Sequence, residues 1–212
     1  MNYNKYKETF ELSCQIDIDK LSEIYLKTFG HKENGYFVEC GAYDGKMFSN
    51  TYGLSILGWH GLYIEPVPHL MLECKRNHAF NLNIQYFDKP IGKEYVENIP
   101  FYPGDWASSL CEDVVNANPH LDKNRFFMTS VYPLDYVLDR YSVPYGFDLI
   151  IIDTEGNDRQ VLEGFSIQKY YPKLVIVEYN QNYLNWFMDY FKENNYTFIF
   201  RDDVNLIFKR EF

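Results

Sequence analysis

Short apolar runs, widely separated along the chain, each lead into carboxylates. Residues 36–38 run into Glu39 and Asp44, and residues 61–64 into Glu65. Residues 147–152 run into Asp153 and Glu155, and residues 174–177 into Glu178. Near-continuous apolar runs this short mark strands buried on both faces. Helical spacing lies between them, so the order strand, helix, strand, helix, strand implies a parallel sheet with right-handed crossovers. All strand C-termini of such a sheet lie on one edge, where ligands bind. The pattern therefore gathers these acids around one site.

The remaining elements follow from periodicity. Ile18, Leu21, Ile24, Tyr25 and Phe29 have helical spacing, with Asp17 or Asp19 as cap and Gly30 as stop, which predicts a helix over 17–29. Further helices are expected over 49–57, 69–76, 134–141, 158–165 and 183–191. Strands are expected over 84–87, 95–102 and 126–131, with a loop and one helical turn over 106–121. Residues 196–200 and 204–208 flank Arg201-Asp202-Asp203 and read as an antiparallel hairpin. Neither a repeat nor a flexible linker interrupts the chain. It reads as one domain, 1–212, with an N-terminal helical extension over about 1–33.

The 212 residues carry a formal net charge of −10, which repels phosphate backbones and argues against a nucleic-acid partner. Aromatic residues make up 19%, read first as core packing and second as a stacking pocket. Cys14, Cys40, Cys74 and Cys111 form no C-x-x-C pair, which argues against zinc, and Cys40 reads as a small buried hydrophobe. His60 and His69 read as surface or packing histidines. The polar start of the chain lacks the apolar core of a signal peptide. No apolar run approaches the roughly 20 residues that span a bilayer, so a soluble, cytoplasmic protein with no membrane partner is expected.

The loop Glu39-Cys40-Gly41-Ala42-Tyr43-Asp44-Gly45 carries the chemistry. Its glycines let backbone pass close to a ligand. It is not the G-x-G-x-x-G fingerprint of dinucleotide enzymes, and its acids repel a pyrophosphate while attracting an ammonium and a sulfonium. That favours S-adenosylmethionine over NAD. Glu65, about 20 residues on at a strand end, is placed to accept from ribose hydroxyls.

Several blocks together resemble the FkbM family of S-adenosylmethionine-dependent methyltransferases. They are Phe37 to Gly45, Ser49-Asn50-Thr51, Gly58 to Pro66, Leu134-Asp135 and Ile152-Asp153-Thr154-Glu155-Gly156-Asn157. Arg76 and Pro90-Ile91-Gly92 fit the same pattern. The resemblance covers roughly residues 36–178. It implies an α/β, Rossmann-like class I methyltransferase fold, with a mostly parallel seven-stranded sheet and a C-terminal antiparallel hairpin. It also implies S-adenosylmethionine as cofactor and O-methylation of a hydroxyl on a sugar or other small-molecule or glycan acceptor. By position, Glu39, Gly41, Ala42, Tyr43 and Asp44 would line the methionine end of the cofactor. Glu65 and Pro66 would hold the ribose, and Asp88 to Ile91 would face the adenine.

A hydroxyl acceptor needs a general base. Asp153, Glu155 and Glu178 are the candidates, and Asp153 is favoured because it ends a buried strand beside the expected sulfonium and cofactor. Glu155 is equally readable as a cap for the helix beginning near Asn157. The same three acids would be the ligands if a divalent cation bound, although the preferred reading has no metal. Tyr102, Trp106 and Tyr132 are expected to wall the acceptor pocket. The competing class is a non-catalytic module that binds a nucleotide-like ligand or scaffolds a partner on the same fold.

Overall fold

The computed structural model describes residues 14–104, 108–110, 112–117, 119 and 121–211. Trp106, Cys111 and the start of the chain lie outside the described residues. A seven-stranded sheet forms the centre. Its strands are β1 (Tyr36–Cys40), β2 (His60–Ile64), β3 (Ile84–Phe87), β7 (Leu149–Ile152), β8 (Leu174–Glu178), β9 (Tyr196–Arg201) and β10 (Asn205–Arg210). The spatial order is β3-β2-β1-β7-β8-β10-β9. The first five of these pair in parallel, while β10 runs antiparallel to both β8 and β9. This is the Rossmann-like class I methyltransferase arrangement, and the C-terminal hairpin is present as expected.

The strand order reverses between β1 and β7. From β1 the chain first builds outward through β2 and β3, then returns to lay β7 on the other side. Loops leaving adjacent strands in opposite directions open a crevice at their carboxyl ends. Glu39 in β1 and Asp153 just after β7 therefore flank that crevice.

Apolar layers cover both sheet faces. Val38, Leu62, Ile150 and Val175 point to one, and Phe37, Tyr63, Leu149 and Leu174 to the other. Helix α1 (Ile18–Phe29) packs Leu21, Ile24 and Tyr25 into the second layer. Asp17 caps it by accepting from the Lys20 amide, and Gly30 at φ +60° ends it. Asp148 explains why β7 begins later than the apolar run: its 2%-exposed carboxylate binds Lys32 and Lys173 and accepts from the Tyr36 amide.

Other boundaries also move. Helix α2 (Tyr52–Ile56) starts later than residue 49 because the Ser49 hydroxyl accepts from the Tyr52 amide at 3.1 Å. Helix α3 (Pro68–Asn77) follows β2, with proline in its first turn. Helix α4 (Glu112–Ala117) replaces the single expected turn, and α5 (Leu134–Arg140) begins directly after Pro133. Helix α6 (Asp158–Glu163) is shorter than its apolar spacing suggests, and a four-residue α7 (Ile167–Tyr170) follows it. Helix α8 (Leu184–Glu193) leads into the hairpin.

A second, three-stranded sheet stands beside the first. It orders β4 (Ile91–Gly92), β6 (Phe127–Pro133) and β5 (Val96–Phe101) as β4-β6-β5. The expected strands at 95–102 and 126–131 belong here rather than to the main sheet. Among the described residues no helix is long and apolar enough to cross a membrane.

Candidate active site

A cavity of about 460 Å³ opens at the carboxyl edge of the sheet, over the β1–β7 switch point. Glu39, Gly41, Ala42, Tyr43, Glu65, Pro66, Ile91, Asp153 and Glu155 line it, so most of the residues singled out from the sequence converge. Met47, Phe48, Leu70, Phe101 and Leu110 supply an apolar wall. Among the described residues no Lys, Arg or His lines the cavity.

Close backbone packing brings the two halves of the site together. Gly41 has φ +83°, and a Cβ there would sit 1.6 Å from the Asp153 carbonyl oxygen. Its amide and that of Ala42 both donate to the Ile64 carbonyl, at 2.9 and 3.1 Å. The loop is thereby pinned across β2. Gly45 closes the turn against Cys74 and His78. His78 is buried, and burial drives its ring down to about 4 despite its contact with the Gly45 carbonyl. It is a neutral packing group, whereas His60 and His69 are exposed.

Glu39 is 5% exposed and accepts from the hydroxyls of Thr51 and Ser49, the latter at 3.1 Å. Burial pushes its carboxyl up to about 8 against the pull of those two donors. Glu65, also 5% exposed, accepts from the Tyr43 amide at 2.9 Å and the Val67 amide at 2.8 Å. Burial raises it to about 7, with those amides opposing. Each oxygen of Glu65 keeps a further lone pair for a ligand hydroxyl.

Asp153 is raised by burial and lowered by hydrogen bonds from Glu178 and Gln15. Glu178 stands behind it, outside the cavity lining, and burial with the Asp153 charge pushes it up to about 11. The two carboxyls share a hydrogen bond, so one of them carries a proton. Glu178 thus lies off the lining that Asp153 and Glu155 form. Glu155 lines the cavity in a left-handed conformation, φ +54°, and burial beside Asp153 and Asp158 raises it to about 8. The role of tying the β7–α6 turn falls to Asp158 instead. It accepts from the Thr154 amide at 2.6 Å and from the Thr154 hydroxyl at 2.9 Å.

Two expected cofactor contacts are displaced. The Asp44 carboxylate does not line the cavity; it accepts from the Lys46 amide at 2.8 Å and the Met47 amide at 2.7 Å, bracing the loop from within. Asp88 points away with a 64%-exposed side chain, and the same segment contributes Pro90 and Ile91 to the wall. Tyr102 and Tyr132 are also absent from the lining. Tyr132 instead stacks with Tyr136 at 5.0 Å, next to the second sheet. Among the described residues no group of three or more His, Cys, Asp or Glu is arranged to hold a metal ion.

Gln15 and Asn50 also enter the lining; Asn50 lies in the Ser49-Asn50-Thr51 segment, and no pattern in the sequence marks Gln15. Asn50 accepts from the amides of Gln15 and Ile16, at 3.2 and 3.1 Å. It thus straps residues that precede α1 across the cavity.

Residues 39–198 match the family model of the methyltransferase FkbM domain. No curated protein sequence matches the chain. Among solved structures, the chain is similar to Precorrin-6y C5,15-methyltransferase from Geobacter metallireducens GS-15, with a TM-score of 0.50 at 8% identity over 95% of each chain. It is similar to ribosomal protein L11 methylase from Lactobacillus delbrueckii subsp. bulgaricus, with a TM-score of 0.50 at 12% identity, covering 91% of this chain and 78% of that one. The METTL16 MTase domain gives a TM-score of 0.52 at 13% identity, covering 95% of this chain and 74% of that one. At such identities these likenesses speak for the fold.

Proposed function

Since the chain belongs to the FkbM family of methyltransferases, we propose that its cavity binds S-adenosylmethionine and that the protein methylates a hydroxyl of a sugar or other small, uncharged acceptor. The observation that carries this reading is the acid set on the lining, buried Glu39 and Glu65 with half-buried Asp153 and Glu155, and no basic lining residue among those described. A site of that sign suits a ligand bearing an ammonium and a sulfonium and disfavours a pyrophosphate or a phosphorylated acceptor. Its volume lies within the range of small-molecule sites.

In this reading Glu39 faces the cationic end of the cofactor, held by Ser49 and Thr51. Glu65 accepts from the ribose hydroxyls. Gly41 and Ala42 give backbone-close approach, and Pro66, Leu70 and Ile91 form the apolar wall of the base end. When bound, the cofactor supplies an electrophilic methyl group and leaves as S-adenosylhomocysteine. Asp153 would take the proton released by the acceptor hydroxyl. Glu155 accepts a hydrogen bond from the acceptor and orients it. Holding the reactants at near-attack distance supplies most of the rate.

Calorimetric titration with S-adenosylmethionine and with NAD tests the cofactor assignment. Binding of the former alone is expected, and no binding of it would sink the reading. Release of S-adenosylhomocysteine in the presence of neutral sugar acceptors then tests the reaction. Cofactor binding with no release across such a panel would favour a binding module over an enzyme.

A further inference from the structure

Gln15 lies before α1 and 24 positions ahead of the family match, yet it reaches the reactive edge of the sheet. Its side-chain amide bridges two strands. Oε1 accepts from Asn205 Nδ2, at the start of β10, at 3.0 Å. Nε2 donates to Asp153 Oδ2, at the end of β7, at 3.5 Å. A contact of that length is weak in a ligand-free site, and such contacts tighten when the reacting complex forms.

The direction of this chain of bonds is set by its far end. Asp202 accepts from the amides of Val204 and Asn205, at 2.9 and 2.7 Å, which fixes its carboxylate in the hairpin turn. Asn205 Nδ2 faces both Asp202 oxygens, at 3.3 and 3.4 Å, so its nitrogen and not its oxygen lies on that side. That nitrogen must then donate to Gln15, which leaves Gln15 Oε1 as acceptor and turns Nε2 towards Asp153. The Gln15 backbone is held in turn by Asn50.

We propose that Gln15 is a positioning residue for the methyl-transfer reaction, holding the Asp153 carboxylate as a hydrogen-bond donor within the relay Asp202, Asn205, Gln15, Asp153. The proposal rests on the reading of Asp153 as the base. Asp153 is faced by Glu178 from β8, Asp158 from α6, Glu155 from its own loop and Glu39 from β1, all of them acids. The ionised forms of Asp158, Glu155 and Glu39 favour the protonated, inactive form of Asp153. Gln15 and Glu178 are the two donors that oppose this. A residue ahead of the segment that matches the family model thus reaches its reactive edge.

The experiment compares wild-type protein with Gln15→Ala and Asn205→Ala. It follows the Asp153 carboxyl by ¹³C NMR across pH, assigned with Asp153→Asn, and thermal unfolding confirms that each variant folds. Loss of the donor removes an interaction made with the charged form, so the Asp153 midpoint should rise by about one pH unit in both variants. Affinity for S-adenosylmethionine should fall less than kcat does. With a turned-over acceptor, kcat should fall about tenfold and the acidic limb of its pH profile should move to higher pH by the same amount. An Asp153 midpoint that stays in place or falls in both variants would overturn the proposal, as would a loss confined to cofactor affinity. If wild-type protein releases no S-adenosylhomocysteine with any acceptor, the methyl-transfer reading fails, while the titration still decides whether Gln15 holds Asp153.

Discussion

A Cβ placed on Gly41 would lie 1.6 Å from the carbonyl oxygen of Asp153. The cofactor loop after β1 and the candidate base after β7 are in backbone contact, and only a residue without a side chain allows it. Gly41→Ala adds a backbone clash to a positive φ. It is expected to destabilise the protein by about 2–5 kcal/mol, which urea denaturation would measure. A stability loss within error would show that the two loops are separable.

Glu65→Ala is expected to weaken S-adenosylmethionine binding at least tenfold, about 1.4 kcal/mol or more. Asp44→Ala should behave differently, because its carboxylate braces the loop through Lys46 and Met47. There the expected effect is a stability loss of about 1 kcal/mol with cofactor affinity largely kept. Calorimetry and thermal unfolding on both variants separate ligand contact from loop bracing.

Asp153 and Glu178 should be distinguishable by isosteric replacement. Burial and the Asp153 charge favour the neutral form of Glu178, so Glu178→Gln, which keeps a neutral side chain and a donor, should leave most of the turnover. Asp153→Asn removes the base and should lower kcat by about 10²–10⁴. Equal losses in the two variants would mean that Glu178 meets the acceptor directly.

Stability should fall as pH rises through the neutral range. Burial raises Glu39 to about 8, Glu65 to about 7 and Glu155 to about 8 in the folded protein, above the ordinary carboxylate value of 4.5. Between 4.5 and 8 the folded chain therefore binds more protons than the unfolded one, so the contribution of these groups to stability is complete below 4.5 and is lost progressively up to about pH 8. A cationic ligand favours their ionised forms, so its binding should release protons and tighten as pH rises from 6 to 8. Thermal unfolding at pH 5 and pH 8, and calorimetry in buffers of different ionisation enthalpy, read these two effects. A ligand-free melting temperature that climbs from pH 5 to pH 8 would contradict the first.

Local patterning suffices for much of this protein. The period of apolar residues marks α1 and the buried strand β7, because a helix and a two-sided strand impose different spacings on neighbouring residues. Glu39, Gly41, Glu65 and Asp153 are legible for a related reason: strand direction delivers strand ends to one edge whatever the loops do. The side-chain aim of loop acids has no such period. Asp44 satisfies nearby amides and Asp88 turns to solvent, although both sit in the expected segments. The tuning of Asp153 is also outside the reach of pattern. Gln15 stands 138 positions from Asp153 and 190 from Asn205, and no spacing rule joins residues that far apart. Their meeting depends on how the leading segment packs over β7 and β10. Burial, which raises both Asp153 and Glu178, is likewise a property of the packed chain.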